Sequence, residues 1–97
     1  IIYYTKGDHR PETDIDQVAP LVSTLIIKDC TILDGSPDVL VTPGEGLVDF
    51  PVILAALDRS GFSGPCYVEC VGGQSLASID CNLSFVRGFI QGIQTAL

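Results

Sequence analysis

Thr42-Pro43-Gly44-Glu45-Gly46-Leu47-Val48-Asp49-Phe50-Pro51, followed by a helical pattern and then by Gly64-Pro65-Cys66-Tyr67-Val68-Glu69-Cys70, decides how this chain is read. The stretch predicts a loop, a helix, a turn and a buried strand with a carboxylate at its C-terminal tip. Asp49 is placed to cap the helix, Pro51 falls in its first turn, and Val52, Ile53, Ala56 and Leu57 form an apolar stripe. Ser60-Gly61-Phe62 supplies the stop signal. In parallel α/β architectures the strand tips and βα loops converge on one face, and chemistry sits there.

Upstream, Val22-Ser23-Thr24-Leu25-Ile26-Ile27 is a β-favouring run that ends without polar alternation, as in parallel strands covered on both faces. It finishes in Lys28-Asp29, so two successive strands end in ionisable groups. Before it, Pro11 to Ala19 predicts a short helix with Pro in the first turn, acids near the N-terminus and Pro20 as its stop. The Gly-, Pro- and Asp-rich segment from Thr31 to Val48 reads as one long loop. Val71 to Ser75 reads as a glycine-rich loop. Ile79, Leu83, Val86, Phe89 or Ile90, and Ile93 then recur at helical period, with Arg87 and Gln91 off that stripe. Helix, strand, helix, strand, helix with short turns implies βαβ units and a parallel sheet.

Ninety-seven residues allow one small domain, residues 1–97. Its 46% apolar content with only 18% charged residues is rich for so short a unit, and the chain opens on Ile1, so a piece of a longer protein is expected. A formal charge of −7 and scattered Lys and Arg residues argue against nucleic acid as a partner, because such binding draws on neutralised phosphates. No apolar run reaches the roughly 18 to 20 residues of a membrane span. Cys66 and Cys70 would lie about 13 Å apart along one strand, too far for a disulfide or a shared metal. The four cysteines are expected to be reduced and mostly buried, as in a cytoplasmic protein.

Taken in order, Pro20 to Asp29, Pro43-Gly44-Glu45-Gly46, Val48-Asp49-Phe50-Pro51, Gly61 to Pro65 and Tyr67-Val68-Glu69 resemble the sugar isomerase and epimerase superfamily with the xylose isomerase-like TIM barrel. The opening Tyr3-Tyr4-Thr5 and Pro11-Glu12-Thr13-Asp14 are similar to the segment after its sixth strand. The resemblance implies the C-terminal part of a (β/α)8 barrel, about strands 7 and 8 with helices 6 to 8. It implies a sugar isomerase or epimerase that abstracts a proton next to a carbonyl, with a divalent metal (Mn2+, Mg2+, Co2+ or Zn2+) held partly by Glu69. Ile26 stands where the family's metal-binding histidine is expected, and this departure puts the metal in question. The alternatives are a lyase or dehydratase on the same barrel, or a non-catalytic carbohydrate-binding barrel without metal.

The candidate residues follow. Glu69, facing into a barrel, would need a cation, a donor or a mobile proton, and is expected to act as acid/base or metal ligand. Lys28 is expected to hold a substrate oxygen, or else to pair with Glu69 or Asp29. Asp29 is expected to orient the loop that follows it. Glu45, between two glycines, and His9, the one histidine, are candidates for contact with a sugar or polyol-type substrate, set against a turn-only role and simple exposure. Homo-oligomerisation is also among the expectations, and the chain alone is expected to be inactive.

Overall fold

The computed structural model describes residues 10–69 and 76–97, with backbone only for 76–79 and 81. Helix α1, Pro11–Val18, starts with Pro at its first turn and carries Glu12 and Asp14 where the helix dipole favours acids. Pro20 does not stop the chain there. It sits in a 3₁₀ turn, Ala19–Leu21, which delays strand β1 to Leu25–Ile27. Hairpin strands β2, Thr31–Leu33, and β3, Ser36–Asp38, come next. Helix α2, Phe50–Arg59, strand β4, Cys66–Val68, and helix α3, Leu76–Ala96, complete the order.

Helix α2 is bounded as its residues dictate. The Asp49 side chain accepts from Val52 N at 3.3 Å, and Pro51 occupies the first turn. At its end Phe62 N donates to Leu57 O and Gly61 N to Asp58 O, both at 3.0 Å. That pairing is a Schellman motif, with Gly61 at φ +79° supplying the left-handed residue. Phe62 then packs against the cluster that holds Leu57.

Strands β1 and β4 pair in parallel, Leu25 with Cys66, Ile26 with Tyr67 and Ile27 with Val68. One face of this pair is covered: Ile27, Phe50 and Val86 form one core cluster, and Ala19, Ile53, Leu54 and Leu57 another. Leu25, Ile90 and Ile93 pack against both, so α2 and α3 lie on the same side of the sheet. The Phe50 and Phe89 rings meet edge to face at 5.9 Å. The other face is bare, with Ile26 62% and Tyr67 60% exposed.

The (β/α)8-barrel expectation, strands 7 and 8 with helices 6 to 8, is overturned. The described residues form a compact α/β unit with two separate two-stranded sheets, β1–β4 parallel and β2–β3 antiparallel. The expected long loop from Thr31 to Val48 contains the antiparallel hairpin, which interrupts the βαβα alternation on which a barrel is built. Its turn, Asp34-Gly35, has φ +50° and +75°, as a two-residue type I′ hairpin requires. Pro37 pairs with Ile32 one rung from that turn, a position with no ladder bond to lose.

Candidate functional site

The continuation of the β1–β4 register brings Lys28 beside Glu69 at the C-terminal tips of two neighbouring parallel strands. Glu69 N still donates to Ile27 O at 2.9 Å, so the ladder is intact up to the site. Strand alternation puts both side chains on the bare face, one rung above Ile26 and Tyr67. There Lys28 Nζ donates to Glu69 Oε1 at 2.9 Å, with the side chains 30% and 46% exposed. At such exposure an ion pair contributes only about 0.2–1 kcal/mol to stability. One N–H of the ammonium is engaged, and two remain for an incoming oxygen.

Asp29, adjacent in sequence, points the opposite way and is fully buried. Its Oδ1 accepts from Cys30 N at 2.8 Å and Val48 N at 3.1 Å. Its Oδ2 accepts from Gly44 N and Gly46 N, both at 2.9 Å. Four amides thus converge on one carboxylate, and the loop from Gly44 to Val48 is wrapped around it. Gly46 permits that wrap, because a Cβ there would collide with Asp29 Oδ1 and Cys30 O. Leu47 N donates to Cys30 O at 2.8 Å and closes the same arrangement. Asp29 is therefore the anchor of the loop that closes beside the β1 tip carrying Lys28.

The remaining candidates separate from this pair. Glu45 is exposed on the anchored loop, where its N–H donates to Thr42 O at 3.0 Å. No hydrogen bond among the described residues joins its carboxylate to Lys28 or Glu69. His9 and the Gly72-Gly73 loop lie outside the described residues, as does Cys70. Of the described cysteines Cys30 is buried, and Cys66, expected to be buried, is exposed. Burial pushes both thiols above their usual range, and for Cys30 the neighbouring Asp29 carboxylate adds to the effect.

Among the described residues no three His, Cys, Asp and Glu side chains are grouped to hold a metal ion. Glu69, the expected ligand of the Mn2+, Mg2+, Co2+ or Zn2+ ion, is engaged by Lys28. Sequence reasoning missed the hairpin, although Asp34-Gly35 after Thr31-Ile32-Leu33 is its ordinary signal. It also passed over Tyr67, whose alternation with Glu69 already placed it on the same face.

No family model, no curated protein and no solved structure matches this chain. The likeness to the sugar isomerase and epimerase superfamily therefore rests on the quoted residues alone. No helix among the described residues is long and apolar enough to cross a membrane.

Proposed function

We propose that Lys28 and Glu69 form the reacting centre of an isomerase for a small polyhydroxy carbonyl compound. One observation carries the reading: a cation and a carboxylate, 2.9 Å apart, sit on adjacent parallel strand tips beside a loop anchored on Asp29. The Glu69 carboxylate takes the proton from the carbon beside the carbonyl. The C–H electron pair becomes the enediolate C=C bond, and the carbonyl π pair moves to its oxygen. Lys28 donates to that oxygen as negative charge grows on it. Glu69 then returns the proton to the former carbonyl carbon on the same face, while the hydroxyl proton on the carbon that lost it passes to the former carbonyl oxygen, and that carbon becomes the new carbonyl. A single carboxylate on one side suits this 1,2-shift better than an epimerisation, which needs an acid on the opposite side.

A second reading is favoured by the openness of the pair. Cavities of about 350, 310 and 650 Å3 are present among the described residues, and neither Lys28 nor Glu69 lines any of them. A non-catalytic carbohydrate-binding face, with Tyr67 as stacking platform, fits such an open arrangement.

Proton exchange separates the two. The protein is incubated in D2O with a panel of aldoses, ketoses and their phosphates. Solvent deuterium entering C1 or C2 is followed by NMR. Glu69→Gln is expected to abolish exchange, and Lys28→Ala to slow it by about 10²- to 10³-fold. Exchange that persists in Glu69→Gln refutes the assignment. Sugar binding without exchange selects the second reading.

A further inference from the structure

We propose that the outer edge of β4, with the stripe of α3 beside it, is a docking groove for an extended segment of a partner polypeptide carrying an acidic side chain. The hydrogen-bond pattern identifies the free groups. Leu25 N donates to Pro65 O and Glu69 N to Ile27 O, and a parallel ladder alternates by residue. The odd residues of β4 therefore face β1, and the N–H and C=O groups of Cys66 and Val68 point to the opposite edge. Among the described residues no other strand lies there.

A groove of about 650 Å3 runs beside this edge, with Cys66, Tyr67 and Val68 on one side and α3 on the other. From α3 it is lined by Leu83, Arg87, Ile90 and Gln94, among others. Their spacing of four, three and four residues is one helical stripe, flanking the stripe of Val86, Phe89 and Ile93 that faces the core. The groove thus offers main-chain donors and acceptors about 6.6 Å apart, the repeat of every second residue in a strand. It adds apolar contacts from Leu83 and Ile90 and a cation. This combination recognises an added strand, where backbone bonds give affinity and alternate side chains give selectivity.

Charge selects the occupant. Arg87 is exposed and makes no ion pair among the described residues, so a carboxylate on the incoming strand is its natural complement. Among the described residues the outer edge of β1 is also unpaired by a strand, and none of the cavities named above borders Ile26 or Lys28.

The test is fluorescence polarisation with a labelled peptide, Val-Thr-Val-Glu-Val-Thr, and two relatives: one with Lys in place of Glu, one N-methylated at alternate amides. The Glu peptide is expected to bind saturably below 1 mM, and both relatives at least tenfold more weakly. Arg87→Glu should reverse the preference between Glu and Lys. Val68→Pro should weaken binding at least tenfold, because it removes an N–H of the open edge that takes no part in the β1 ladder, and it should lower the melting temperature through the packing lost against Ile27, Phe50 and Val86. Should Val68→Pro unfold the chain, the N-methylated peptide still tests the same edge. No binding of the Glu peptide at 1 mM, or equal binding of its relatives, overturns the proposal. So does a concentration-dependent dimer in sedimentation that Val68→Pro dissociates, which would give the edge to a second copy.

Discussion

Replacing Asp29 by Asn removes one oxygen from a fully buried carboxylate that accepts four backbone N–H bonds, two on each oxygen. Whichever way the amide turns, its NH2 group faces two of those donors, so two bonds are lost and two amides are left buried. Hydrogen bonds to charged groups are worth about 1.5–3 kcal/mol each, which puts the cost of losing two near 3–6 kcal/mol. A chain of this length has only about 5–15 kcal/mol of stability in all. With a urea slope of about 1–1.5 kcal/mol/M, the midpoint should fall by about 2–6 M. Urea titration followed by circular dichroism reads this directly, with the slope compared between variant and parent. Asp49→Ala, which loses only one helix-capping bond, is the control and should cost about 1 kcal/mol. If Asp29→Asn costs less than 1 kcal/mol, the four-amide anchor does not organise the loop.

Gly46→Ala should destabilise by about 1–3 kcal/mol, because its Cβ meets Asp29 and a backbone carbonyl that cannot swing away; a neutral result in the same titration contradicts the close wrap. Gly88→Ala and Gly92→Ala are predicted to do the reverse. Both lie in α3 with open space around the added Cβ, and each should stabilise by about 0.5–1 kcal/mol in thermal melts. Burial raises the Cys30 thiol, so the fold disfavours the thiolate. That contribution is complete below the unfolded thiol's pKa of about 8.5 and is lost as pH climbs through the folded value. The parent should therefore lose more stability than Cys30→Ala between pH 7.5 and 9.5, and equal losses would exclude the effect. Mapped alkylation at pH 8 should mark Cys66 well before Cys30, in keeping with their exposure.

Local signals in this chain were strong where one residue has one job. Asp49, Pro51 and Gly61 set the ends of α2, and the observed cap bond and Schellman pair are the bonds those residue types make. The alternation of Ile26 and Lys28, and of Tyr67 and Glu69, follows from strand geometry alone, which is why a Lys28–Glu69 site could be nominated before any coordinates. The hairpin was legible too, in Asp34-Gly35, but the density of Gly, Pro and Asp around it favoured a loop reading.

Primary sequence, then, determined the two strand tips, the helix boundaries and the acidic, low-charge surface, because each depends on contacts within a few residues or on composition. Asp29 was already expected to orient the loop after it, but tertiary structure decided that its carboxylate turns inward and which amides, 15 to 19 residues away, it collects. It also decided that the helices lie on one side of the β1–β4 pair, and that the two small sheets stay separate where a barrel would join them. Those outcomes depend on which distant groups reach each other when the chain closes, and period and spacing carry no record of that.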